Sequence, residues 1–272
     1  MTKAVAMGNR GTPASGARWQ PLALNVVSVA VFLLVWHVAA ALVKSPFFPP
    51  PYRIVQAFVK LAGQGDTMGI SLWEHSWASL YRVLVGFAAG VLLGVPLGLA
   101  MGLSPKLYAA TRSIVEPFRF IPPIAWIPLA IIFFSGLARF AFLIFIGSFF
   151  PIFTATLVGV ARVEPIHRKV AVVYGASRYY VLTHIVLPTV LPDIMGGMRV
   201  GLGAAWLTIV AAELSGGTSV GLGRMMVNYA ELLQIPEIVV GMVLIGALGF
   251  VMNEILLTFE RRMFRWRWQV TL

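Results

Sequence analysis

Between Leu22 and Val43 the chain carries no Asp, Glu, Lys or Arg, and five further apolar runs with few charges follow it. Runs of this length constrain the fold more than any other feature. A helix needs roughly 20 apolar residues to cross a bilayer core. Inside hydrocarbon, backbone polar groups are satisfied only within a helix or a closed barrel. The ten-residue alternating segments that a barrel demands are not visible. Only 11% of the 272 residues are charged, against about a quarter in a soluble domain. The expected class is an all-α integral membrane protein with about six transmembrane helices.

Residues 1–20 are polar, Gly-rich and basic, and are expected to form a disordered cytoplasmic N-terminus. The first apolar run, Leu22 to Val43, is too long for a signal-peptide core, and no small-residue cleavage site before a soluble domain follows it. It is read as a retained span. Pro49, Pro50 and Pro51 stop a helix, and Tyr52 to Ala62 has the pattern of a short interfacial amphipathic helix. Trp73 and Trp77 suit an aromatic belt ahead of a second span, Ser79 to Leu103. In that span Gly86, Gly90, Gly94, Gly98 and Gly102 recur every fourth residue, a small-residue face that lets another helix approach closely. A third span, Ile114 to Gly136, contains EPFRFIPPIAWIPL and is expected to be broken or kinked near its start. The fourth, fifth and sixth are placed at Phe140–Val160, Val190–Leu214 and Ile238–Phe259. The transmembrane domain therefore covers 21–260, with a cytoplasmic loop at about 164–188 and a basic cytoplasmic tail at 261–272.

A net charge of +11 raises the question of nucleic acid. Topology explains it more simply, because cytoplasmic loops gather Lys and Arg. With both termini inside, thirteen basic residues fall on cytoplasmic segments and five on the other side. The same orientation makes 164–188 cytoplasmic. The chain has no cysteine, which excludes disulfides, thiolate metal sites and Cys nucleophiles. His37, His75, His167 and His184 show no metal-ligand spacing, so no metal is expected.

The stretch YGASRYYVLTHIVLP, Tyr174 to Pro188, is the functional puzzle. It is basic and partly amphipathic, Gly175 interrupts its helical pattern, and Pro188 is expected to end it before the fifth span. An exposed helix–Gly–helix element of this kind suits docking into a partner's groove. Gly175, nine residues, Ile185, one residue, Leu187 and Pro188 reproduce the spacing G-x9-I-x-L-P. With PPIAWIPLAIIFF, GGMRVGLGAAWLTIVAAELSGGTSVGLG and ERRMFRW in the same order, the chain resembles the permeases of ABC importers, and among them the nitrate/sulfonate/taurine branch, over about residues 45–268. The resemblance implies a type I (MetI-like) permease fold, with Lys169, Ala171, Gly175, Arg178, Ile185, Leu187 and Pro188 on a helix that couples to an ATPase. The family begins this signature with Glu-Ala-Ala. Here Lys169-Val170-Ala171 stands in its place, so the acidic position is lost and only the second alanine matches. The resemblance further implies two ATPase subunits using ATP and Mg, a second permease chain (a homodimer by default), a soluble or lipid-anchored substrate-binding protein, and residence in a bacterial inner membrane. The chain lacks a G-x-x-x-x-G-K-[ST] loop and even a Gly-Lys pair, so it cannot cradle ATP itself and is not expected to be an enzyme.

Ionisable groups inside spans are costly and mark functional positions by default. Arg119, Pro122, Trp126, Trp206 and Glu213 are the candidates for the path or gate, Glu213 with Arg224 as a potential partner. A helix broken at Pro122–Pro123 would present N–H groups to an anion. For most such charges a structural ion pair is the competing interpretation. Three other functions compete with this one. A secondary transporter or channel would show inverted repeats or carboxylate clusters, and an intramembrane enzyme would show a nucleophile–base pair; none of these is present. A structural scaffold leaves the cytoplasmic signature unexplained.

Overall fold

The computed structural model describes residues 20–264. The expected disordered N-terminus and the part of the basic tail beyond Phe264 lie outside the described residues. Two compact units divide at Gln56/Ala57.

The first unit holds α1 (Gln20–Val43), a proline-rich turn and the start of α2 (Pro51–Gln64). Its span, Leu24 to Val43, is apolar and exposed over most of its surface, with Ala40 alone buried. The three prolines end one helix and start the next, with Pro51 as the first residue of α2; a proline lacks only an N–H that no first-turn residue uses.

The second unit is built on α3 (Leu72–Leu103), α6 (Gly136–Arg162) and α9 (Leu187–Leu214), with α6 packed between the other two. The glycine stripe of α3 explains the α3–α6 contact. A Cβ at Gly98 would lie 2.7 Å from Thr156 Cβ, and one at Gly102 2.7 Å from Val160 Cβ; Gly86, Gly90 and Gly94 face Ile144, Ser148 and Ile152 in the same way. Lipid is as apolar as leucine, so close van der Waals contact rather than water exclusion holds such helices together. Ser148 and Thr156, buried at this contact, donate to the carbonyls of Ile144 and Ile152 one turn back. Val83, Phe87, Phe140, Leu143, Ile144, Ile152, Leu202, Trp206 and Ile209 fill the core. Helix α10 (Leu222–Glu231) packs on α9, and α11 (Ile235–Met263) packs on both.

Two boundaries differ from expectation, and the break expected near the start of the third span is present. Helix α3 starts at Leu72, seven residues before the expected Ser79, because Ser71 and Glu74 form a capping box: Ser71 Oγ accepts from the Glu74 N–H and Glu74 Oε2 from the Ser71 N–H. The segment after Leu103, expected to be a short loop, is helical. Helix α4 (Pro105–Phe118) begins there, with Ser104 as its N-cap. The third span is two pieces, α4 and the Pro123–Phe133 segment, bent by 84°. The bend is sharper than a kink because Pro122 and Pro123 remove two consecutive backbone donors. Among the described residues, five helices are long and apolar enough to cross a membrane, or six if the bent pair is one span.

Candidate functional site

Helix α7 (Pro165–Val173) opens with Pro165 at its first position and closes in a Schellman turn. The Ala176 N–H donates to the Ala171 carbonyl and the Gly175 N–H to the Val172 carbonyl. Gly175 occupies the left-handed position of that turn, φ +79°, and a Cβ there would meet nothing within 4 Å. Backbone conformation, not space, is what requires glycine at 175. Ser177 then caps the next helix by accepting from the Tyr180 N–H. That helix, α8 (Arg178–Val181), does not stop at Pro188. A π-helical turn (Leu182–Val186) follows, in which the Leu187 N–H reaches the Leu182 carbonyl, and the helix runs on into α9. The extra residue per turn accommodates the missing donor of Pro188. Gly175 and its neighbours therefore sit at a hinge leading directly into a 28-residue span.

The segment is rooted at one end and bare at the other. Val163, Val186, Val190 and Ile194 are buried together, with Leu187 packed beside them. Ile185 is half-buried, whereas Lys169, Arg178 and Pro188 are exposed and Ala171 is partly covered. Val173 and Tyr174 stand 84% and 87% exposed, with Tyr179, Val172 and Ile166 also open. The seven signature residues thus fall on α7, the Gly175 turn and the helix that follows it, with an apolar tip uncovered by this chain.

The five path candidates do not converge. Arg119 caps α4, pairs with Glu116 at 3.4 Å and lies over the Phe120 ring. It lines a cavity of about 530 Å³ with Pro123, Gly147, Thr154, Val200 and Ala204, between the broken span and α6 and α9. Pro122 is exposed and caps a four-residue 3-10 turn, Pro123–Trp126, that leads into α5 (Ile127–Phe133). At seven residues, α5 is too short to present the anion-attracting terminus expected of the break. Trp126 stacks on Phe118 and packs against the core. Trp206 is buried in that core and lines a separate cavity of about 740 Å³ between α9 and α11, with Arg199 and Asn253. The indole N–H groups of Trp126 and Trp206 are buried without an acceptor. Asp193 pairs with Arg162 and Arg199 with Glu260, so both charges are tied to neighbouring helices.

Glu213 is 1% exposed, and its partner is Arg82 of α3 rather than Arg224. Arg82 Nη1 donates to Glu213 Oε1 at 2.6 Å and to the Val220 carbonyl; Nη2 reaches Thr218 Oγ1. Ser79 Oγ donates to the Glu213 carboxylate and accepts from the Leu222 N–H, while the Gly223 N–H donates to Glu213 Oε2. His75, wholly buried, bridges Asp66 at 3.1 Å and the Gly221 backbone at 3.0 Å. A buried charge needs this density of partners. The knot fixes residues 218–223 against α3. Next to it, Tyr229 is held protonated: burial first, then the Asp66 and Glu237 carboxylates, push its phenol above the usual value. Arg82 lies within the second span, Ser79–Leu103, where no local spacing points to its partner. The available signal was that an intramembrane arginine requires a carboxylate, and Glu213 was already in view. Among the described residues no three His, Asp or Glu side chains gather as a metal site would require.

Residues 86–265 match the family model described as binding-protein-dependent transport system inner membrane component. The taurine transport system permease protein TauC of Escherichia coli K12 is 36% identical over 259 residues, 93% of this chain and 94% of its own length. The putative aliphatic sulfonates transport permease protein SsuC of the same strain is 36% identical over 236 residues, 85% of this chain and 87% of its own. Among solved structures, an inward-facing conformation of the MetNI methionine ABC transporter matches with a TM-score of 0.57 at 19% identity, covering 69% of this chain and 95% of that one. That likeness shows the fold.

Proposed function

The chain belongs to the family of binding-protein-dependent transport system inner membrane components and is the permease of an ABC importer, and from that premise we propose that it carries a small sulfonate-type anion. In this reading two copies form the path, a binding protein delivers the solute from outside, and two ATPase subunits act from the cytoplasm. The chain resides in a bacterial inner membrane with both termini cytoplasmic. The sulfonate class rests on the relatives, whose names specify taurine and aliphatic sulfonates.

The observation that carries the mechanism is the unbroken helix from Arg178 to Leu214, which begins directly after the Gly175 turn. An ATPase gripping the exposed Val173–Tyr174 tip moves a lever whose other end is the fifth span. Gly175 is the joint, Arg178 lies on the contact face, Ile185 and Leu187 root the lever, and Pro188 marks where it passes into the fifth span. Arg119, Pro122, Trp126, Trp206 and Glu213 act along or around the path. Arg119 opens on the cavity beside the broken span, and Glu213 holds the outer end of span five. Selection of the solute belongs to the binding protein, so no tight site is required here.

The test is purification of the tagged chain in mild detergent with its genomic partners, followed by reconstitution in liposomes. Co-elution of an ATPase, together with taurine- or alkanesulfonate-dependent ATP hydrolysis on adding the binding protein, is the expected result. A stable assembly with an ATPase that answers to no sulfonate would remove the substrate class and leave the permease assignment intact.

A further inference from the structure

The turn between α1 and α2 forms an open, surface-facing cavity of about 550 Å³ with an unusual lining. Its walls include His37, Lys44, Ser45, Tyr52 and Arg53, so three basic side chains and two hydroxyl groups contribute and no carboxylate does. Among the described residues, neither Lys44 nor Arg53 enters an ion pair. Lys44 is held at φ +48°, a left-handed backbone that non-glycine residues rarely adopt. Arg53 sits in the first turn of α2, the end of a helix where the dipole disfavours a cation. The cation in the first turn of α2 is unfavourable alone and becomes favourable beside a bound anion.

Depth identifies the anion. The apolar helix Leu24–Val43 has 20 residues, about 30 Å at 1.5 Å per residue, which is the thickness of the hydrocarbon core. Lys44 is the first residue beyond it, at the level of the lipid headgroups. Helix α2, which begins seven residues further on, has the amphipathic pattern of an interfacial helix. Phosphodiesters are the abundant anions at this depth. A guanidinium fork, an ammonium and hydroxyl donors are the groups that bind phosphate oxygens.

We propose that this cavity is a phosphate oxyanion site, filled by the phosphodiester headgroup of a membrane phospholipid, which fastens the α1–α2 turn at the interface. The same chemistry would accept free phosphate, so the test has two arms. The full-length chain is delipidated in detergent and titrated with phosphatidylglycerol in one arm and with inorganic phosphate in the other, read by native mass spectrometry and by 31P NMR. The variant Lys44→Asn/Arg53→Gln removes both permanent charges while keeping a residue that tolerates the left-handed turn. Lys44→Arg/Arg53→Lys keeps both charges. The expected result is one tightly held phospholipid per chain, weakened at least tenfold in the first variant and retained in the second. Phosphate alone should bind weakly and be displaced by the lipid. Specific binding of phosphate that lipid does not displace would overturn the lipid assignment. Phospholipid retained equally by the wild type and a well-folded Lys44→Asn/Arg53→Gln variant would overturn the site.

Discussion

A largely covered arginine, its side chain 12% exposed, tied to a buried glutamate sets the strongest constraint at the scale of single residues. Breaking such a pair from one side leaves an uncompensated charge and costs about 3–5 kcal/mol, whereas replacing both members is often neutral. Arg82→Met should therefore lower thermal stability in detergent by several kcal/mol. Arg82→Met with Glu213→Gln should recover most of the loss, because glutamine still accepts from Ser79 and the Gly223 N–H. Tryptophan fluorescence during heating reads both, and additive losses would show that the two side chains are not coupled. Gly221 belongs to the same knot. Its φ is +148°, and a Cβ there would lie 2.5–2.7 Å from the Glu213 carboxylate, so Gly221→Ala should destabilise about as much as losing the pair. The sequence made each of these residues visible and left their grouping hidden. Glu213 and Arg82 are 131 positions apart, and no local period connects them. Gly175 was legible for the opposite reason, since its role is local: a helix ends and glycine supplies the left-handed turn.

Elements translate these residues into movement. The lever from Gly175 to Leu214 works only if its joint keeps the Schellman geometry, so substitutions should sort by backbone tolerance rather than by size. Gly175→Asn, which enters the left-handed region readily, should keep most uptake in proteoliposomes; Gly175→Val should lose it while inserting normally. Equal loss in both would point to a steric contact at the tip instead. Arg178→Glu reverses a charge on the exposed face and should weaken co-elution of the ATPase. The α3–α6 seam follows a different rule, since Gly98 has no room at all. Gly98→Leu would drive its side chain into Thr156 and the Phe153 carbonyl, and the expected outcome is a chain recovered mainly as aggregate after detergent extraction. The period-four glycines announced that seam in the sequence, because small-residue spacing on a helix is a one-dimensional signal. The continuity through Pro188 was not announced. Proline ordinarily stops a helix, and only a π-turn, which has no compositional signature, carries this one past it.

At the scale of the whole molecule, the distribution of charge makes the sidedness of the chain a single testable statement. In the proposed topology the excess of basic residues argues for a cytoplasmic Gly175 segment. Counting spans from there puts the α9–α10 connection and α10 outside. The absence of cysteine provides a clean background for deciding it. Tyr179 and Glu231 are both exposed, one on each proposed side, and neither is engaged in the buried knot. Tyr179→Cys should react with a membrane-impermeant maleimide only after the cells are opened; Glu231→Cys should react in intact cells. The pair also tests the bent third span. If α4 and the segment after Pro122 return to the side they came from, as a re-entrant loop would, α6 begins on the opposite face and the two cysteines still label from opposite sides, but with their accessibility exchanged. Labelling of both from one side would mean that α9 does not cross, and with it the lever from the ATPase to the outer knot would be lost.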